Sequence, residues 1–447
     1  MNVKNKILYY FFLIFFILII FSILFGALLK YHYEGGQKFK LLRHISIFLA
    51  DVPSNAKIIF NKKSIGEKAN KPKKLLKHNE KNRFTKYSKK ENFGLLVLPR
   101  YNHSISRSVV DIIDLKNFNT IHTYAHNILQ MNKNIKDERH RNIHIDDSPI
   151  RFEYRHPMIF EDGTLISHSD YAPLFKIDFC SNLLWINEET KFHHSLELDS
   201  ENNIYVGGQL KPFSKYISKS EWVWDNWMDD AIIKVNKDGQ IIYTKSIAEI
   251  MIENELIDDN LFKYEDPIHL NDVEPALFDS EFWKKDDVFL SLRHQSIILH
   301  YRPSSNKLIN ILKGPFSQQH DVDIISKEEI SIFNNNNFLI DNQSSELLIY
   351  NFRTNKYKNK FKDQLENLKF KTVSQGLSQV LIDGSIVLEE QNHGRIVSLS
   401  KSGSLNWEYI NKDDSGDIGF VSWSRIIEDK NFVNKFKDLI KQKKCLN

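Results

Sequence analysis

Apolar and polar positions follow two different regimes along the chain. From Ile7 to Leu29, 23 residues carry no charge and are dominated by Ile, Leu and Phe. At about 1.5 Å per residue, a helix of this length crosses a hydrocarbon core of roughly 30 Å. From Gly94 onward the pattern becomes short β-rich runs punctuated by Asp, Asn and Gly, which predicts strands joined by turns. The runs recur as a unit of four strands. One copy reads HPMIFEDGTLISHS with APLFKIDFCSNLLWIN from His156, and HSLELDSENNIYVGG from His194 is completed, after an insertion, by DDAIIKVNKDGQIIYTKS. Further copies begin at His269, His320 and Ser378, and GLLVLPRY with SVVDIIDLKNFNTIHTY from Gly94 makes a sixth.

Six such antiparallel sheets without long helical patterns between them predict an all-β fold, a six-bladed β-propeller with an N-terminal transmembrane helix. The segment Ser422 to Val433 reads as a leftover strand pair that completes the Gly94 sheet and latches the ring. Asn127 to Asp147, Lys211 to Asp230 and Ile247 to Asp266 fall outside the repeat and are long enough for rim helices or lids. The predicted organisation is an anchor over 1–30, a basic tether over 31–92, the propeller over 93–435 and a C-terminal tail over 436–447.

Charge and cysteine content narrow the picture. The net charge of +4 is too small for a nucleic-acid binder. Lys57 to Glu91 alone carries 13 Lys/Arg against 3 Asp/Glu, so the remainder is slightly acidic. That stretch reads as a solvated tether, with a patch for anionic lipid headgroups as the alternative. Two cysteines, Cys180 and Cys445, exclude a disulfide framework or a cysteine-built metal site, and no disulfide partner is evident close to Cys180. The apolar run is longer than the core of a cleavable signal peptide, which remains the competing reading. Lys30, Lys38, Lys40 and Arg43 outnumber Lys4 and Lys6 across the helix and favour a cytoplasmic body, a bias that a long translocated domain overrides.

The candidate chemistry lies in the histidines. His156, His194, His269 and His320 all stand at the first strand of their unit. First strands line a propeller's channel, so this register predicts imidazoles converging on one axis, whereas a lone histidine is more often a packing residue. Arg293, at the end of FLSLRH beside His294, adds a guanidinium suited to a tetrahedral oxyanion; its bland alternative is a surface ion pair. Asn271 points the same way as His269 along its strand and offers an amide. Asp321 faces opposite to His320 and is not expected to take part. WVWDNW, Trp222 to Trp227, reads as rim packing in preference to an aromatic-acceptor platform.

HHSLELDSENNIYV, DPIHLNDVEP with SLRHQSIILHY, GPFSQQHDVDII with ISIFNNN, and SQGLSQVLIDGSIVLEE ending in LNWEY resemble, in order and spacing, the bacterial arylsulfate sulfotransferases. The resemblance covers roughly Arg155 to Arg425. It implies transfer of a sulfuryl group from an aryl sulfate ester to a phenolic acceptor, without a nucleotide donor, metal or other cofactor. It further implies that His320 is the nucleophile forming a transient sulfohistidine. His194, His269, Asn271 and Arg293 would surround the sulfate, with His193 the alternative to His194 and His156 a further binding residue. HLNDVE departs from the family's His-x-Asn surroundings, which puts substrate range in doubt before mechanism. The family's export implies an extracytoplasmic, periplasmic body. Water-directed hydrolysis from His320 and a catalytically silent binding propeller are the competing functions.

Overall fold

The computed structural model describes residues 3–33, 78, 82–89, 91–136, 152–219, 223, 226–256, 264–337, 344–414 and 416–445. Most of the basic tether, including Lys57 to Lys77, lies outside the described residues, as do Trp222 and Trp224.

Val3–Tyr33 forms one continuous helix, and its apolar part, Leu8–Leu28, is wholly unburied. It is long and apolar enough to cross a membrane. The remainder of the described chain is dominated by antiparallel strands in a propeller-like arrangement of five sheets. Three have four strands, one has five, and one has seven. The seven-stranded sheet is held together by a single long strand, Leu183–Leu198. Its first part pairs with Ala172–Ile177 and its second with Ile204–Gln209, so two units read from the sequence as separate share one strand.

The ends of the ring are sewn together twice. Arg425–Ile427 pairs with Leu95 to Val97 and completes the first sheet, as expected for the closing segment. Only one strand forms there: the second half of the predicted pair is the start of the helix Lys430–Gln442. Asp429 caps it by accepting the Phe432 N–H (2.7 Å), and Val433 and Phe436 bury one face. Phe84–Lys86 adds to the outer edge of Leu405–Ile410, and the Phe84 ring packs 4.6 Å from Phe118 and 4.7 Å from Tyr409.

Cys180 and Cys445, read from the sequence as lacking a nearby partner, form a disulfide across a separation of 265 residues. It pins the C-terminal helix over a cluster that includes Phe179, Val433 and Phe436. Gly163 is required beneath this helix, since its φ is +80° and a Cβ would stand 2.5 Å from Leu439.

Neighbouring units are joined by polar clamps at their innermost strands, where a buried backbone N–H must find an acceptor. Asp230 accepts from Leu270 N–H, Asp272 from Val322 N–H, and Asp321 from Ser378 N–H, each at 2.8 Å. Glu389 accepts from Trp423 and Ser424. These clamps fix the first strand of a unit against the unit before it, and with it the side chains at the strand starts.

Candidate active site

Three of the predicted histidines meet. The His194 ring centroid lies 5.0 Å from His269 and 6.2 Å from His320. Each comes from a different repeat, so this cluster exists only in the folded chain. His156, His194 and His269 share a left-handed backbone, with φ of 37°, 63° and 56°. Such a conformation costs a non-glycine residue roughly 1–2 kcal/mol and clusters at functional sites. His320 is reached differently: the left-handed residue there is Gln318, at φ 54°.

His320 is 1% exposed. Its Nδ1–H donates to Asn335 Oδ1 at 2.6 Å, and its Nε2 accepts the Gln375 N–H at 2.7 Å. Nε2 therefore carries the lone pair. Asn335 is in turn fixed by donating to the carbonyls of Thr372 (3.0 Å) and Gln375 (2.8 Å). Burial, together with the nearby Arg293 charge, holds His320 well below the usual imidazole range, so it is neutral at neutral pH.

The His193–His194 doublet divides its roles. His193 packs behind, against Tyr171, with Nε2 3.4 Å from Asp230 Oδ1. Burial alone would lower His193, but Asp230 outweighs it and raises its affinity for a proton. His194 is lowered well below the ordinary value, by burial and then by the neighbouring histidines. The two Nδ1 atoms are 2.9 Å apart, so a protonated His193 donates to His194 and leaves Nε2–H of His194 as a donor.

Arg293 Nη2 donates to Gln318 Oε1 (3.0 Å), and its Nη1 donates to His294 Nε2 (2.6 Å). This sets the guanidinium beside the His320 segment and away from a surface ion pair. Asn271 is fully buried, and its Nδ2 donates to the Gln319 carbonyl at 2.8 Å. The amide expected to serve substrate thus holds the backbone next to His320, while its Oδ1 is buried without a hydrogen-bond partner. His156 accepts the Leu196 N–H on Nδ1 (3.2 Å) and acts as an inter-unit clamp. Trp423 stands between it and the cluster, with its ring 5.2 Å from His156, 6.2 Å from His194 and 6.5 Å from His320. Asp321 is spent on Ser378, facing away from the cluster, in keeping with strand alternation. Trp227, from the expected rim segment, is buried 6.0 Å from Phe213 as packing.

Asn335, the Gln375 N–H, Trp423 and Asp266 were missed from the sequence. Asn335 sits in a run of four asparagines, Trp423 in a segment read only as a closing strand, and Asp266 at the end of an insertion. The one available signal was the position of Asp266 three residues before His269.

Residues 156–412 match the family described as arylsulfotransferase (ASST). A comparison with proteins of curated function yields no match. Among solved structures, the chain is similar to a protein of unknown function from Bacteroides caccae, with 11% identity and a TM-score of 0.47, covering 75% of this chain and 100% of that one. It is also similar to virginiamycin B lyase from Staphylococcus aureus, with 9% identity and a TM-score of 0.35, covering 59% of this chain and 86% of that one. The family match spans more than half of the sequence and takes in every candidate site residue from His156 to His320; the chain belongs to the arylsulfotransferase family.

Proposed function

We propose that this protein transfers a sulfuryl group from an aryl sulfate ester to a phenolic acceptor by way of a sulfohistidine at His320. The observation that carries this reading is the contact of His194, His269 and His320, from three separate repeats, with a guanidinium alongside. The Nε2 lone pair of His320 leaves the Gln375 N–H and attacks sulfur, the bond from sulfur to the phenolic oxygen breaks, and a covalent intermediate splits one displacement into two. Asn335 balances the positive charge that the attacked imidazole acquires, through the Nδ1–H bond. Arg293 and the His194 Nε2–H meet the charge on the non-bridging oxygens. His269 protonates the departing phenolate and takes the proton back from the acceptor phenol when that oxygen attacks sulfur and the N–S bond breaks.

In this reading the seven-stranded sheet is two blades joined by Leu183–Leu198, which brings the propeller to six. Residues 7–29 anchor it in the membrane, and the Cys180–Cys445 disulfide favours a body in an oxidising, extracytoplasmic compartment such as a periplasm.

The test is to incubate the full chain in detergent with a chromogenic aryl sulfate, with and without a phenol, following phenol release and acceptor sulfation together. Release accelerated by the acceptor, with one sulfated product per phenol released, is expected. Release unchanged by acceptor would make the protein a hydrolase, and no release from a range of donors would make it a binding module. In the same assay Arg293→Gln lowers kcat/KM by about 10²–10³-fold, the usual effect of deleting one preorganised charge donor; an effect below about fivefold would remove Arg293 from the site.

A further inference from the structure

His269 does not stand alone in the cluster. Its Nδ1 contacts Asp266 Oδ2 directly, three residues earlier in the chain. The backbone carbonyl of the same Asp266 accepts the His294 Nδ1–H at 2.7 Å. That bond leaves the His294 Nε2 as the acceptor for Arg293 Nη1–H. One residue therefore touches both imidazoles, its side chain serving His269 and its backbone serving His294, the ring that accepts from Arg293. The His269 and His294 rings lie 4.6 Å apart, so neither can turn without meeting the other.

We infer that Asp266 is the positioning residue for His269 and forms with it a carboxylate–imidazole dyad that serves proton transfer to the leaving phenolate; this rests on the function proposed above. By accepting the Nδ1–H, the carboxylate fixes the tautomer, so that Nε2 is the nitrogen that exchanges protons with substrate. It also offsets the positive charge that His269 carries before it protonates the phenolate and after it deprotonates the acceptor. No atom of Asp266 has to reach the sulfuryl group for this. The burial of Asp266 disfavours its charged form, but the His269 contact outweighs that and keeps the carboxyl below its ordinary value, as an anionic partner.

The same three side chains, Asp266, His269 and His294, have ligand atoms within 4.8 Å of one another, which is also the spacing of a metal site. The hydrogen bonds favour the dyad over that arrangement. The His294 Nδ1 carries its proton toward the Asp266 carbonyl, and its Nε2 lone pair is taken by Arg293, so His294 has no nitrogen left for a metal.

Two measurements on Asp266→Asn decide the matter. The first is the rate of phenol release across donors whose phenols differ in acidity. Acid assistance matters most for a basic leaving phenolate, so release from an alkylphenyl sulfate falls by about 10²–10⁴-fold while release from a nitrophenyl sulfate falls by less than about tenfold. An equal loss on both donors would mean that Asp266 only supports the fold. The second is nitrogen NMR of histidine-labelled full chain in detergent, with the His269 signal assigned by its loss in His269→Gln. A protonated Nδ1 in the unaltered chain, and loss of that preference in Asp266→Asn, are expected. A His269 that keeps a bare Nδ1 in the unaltered chain overturns the dyad, and this readout stands even if the chain transfers no sulfuryl group. Activity abolished by a chelator and restored by zinc would likewise replace the dyad with a metal site.

Discussion

Replacing His320 by alanine lowers the sulfuryl-transfer kcat/KM at least about 10⁴-fold, and no sulfated intermediate can then be trapped on the peptide that carries position 320. The size follows from the role. A nucleophile in a two-step displacement has no substitute when its neighbours are donors, and removing such a group from other covalent catalysts costs about as much as removing the whole set around it. In this pocket the neighbours are poor replacements. His194 accepts from His193 on Nδ1 and so presents an N–H at Nε2, while the His269 Nε2 is committed to the proton it exchanges with the phenol. Burial and Arg293 hold His320 well below its ordinary range, so it is unprotonated at neutral pH and its Nε2 lone pair attacks once the Gln375 N–H releases it. An activity change near neutral pH therefore reports on the proton-transfer groups. Mass spectrometry of acid-quenched enzyme after a single turnover is the matching measurement. A His320→Ala variant retaining a tenth of the activity would mean direct transfer between donor and acceptor, with the histidines as binding groups.

Converting both Cys180 and Cys445 to serine destabilises the protein by about 2–5 kcal/mol, seen as a lowered urea midpoint. The bond closes a loop of 265 residues, nearly the whole ring. Closure entropy grows only logarithmically with loop length, so the effect belongs to the upper part of the usual range without exceeding it. The loss falls first on the helix Lys430–Gln442. Its apolar contacts run through Phe432, Val433, Phe436 and Leu439 onto Phe179 and its neighbours, and the bond holds that helix at its free end. Hydrogen exchange of this helix rising before that of the sheets is the local signature. An unchanged midpoint in the double variant, or in reductant, would show that the apolar contacts suffice.

What could be read in advance divides along a physical line. The repeat was legible because strand alternation and turn residues are local, and aligning the repeats placed His194, His269 and His320 at equivalent points before any distance was known. The contacts that tune them are not local. Asn335 lies 15 residues beyond His320 in a polar run that looks like a loop, yet it decides which imidazole nitrogen is bare. His156 shares the histidine register and the left-handed backbone, but its Nδ1 answers a buried N–H of the next unit, a demand that appears only once the units are packed. The closing segment was read as two strands because its apolar residues are few; the cap at Asp429 and the spacing of Val433 and Phe436 were the available helix signal. The pairing of Cys180 with Cys445 depends on the ring having closed, which no spacing along the chain reveals.

The strap formed by Phe84–Lys86 helps decide where a pull from the N-terminal side of the chain is borne. Such a pull meets the buried His78–Glu390 contact, then the Arg83 bonds to the Lys412 carbonyl, and then three residue pairs and the ring of Phe84 at the outermost edge of one sheet. The strand Arg425–Ile427, which shuts the circle, lies on a different sheet and is not in the line of force. The strap is thus a mechanical fuse: a load from the N-terminal side falls on His78, Arg83 and three outer residue pairs of one sheet, while the imidazoles, seated on other sheets, keep their spacing.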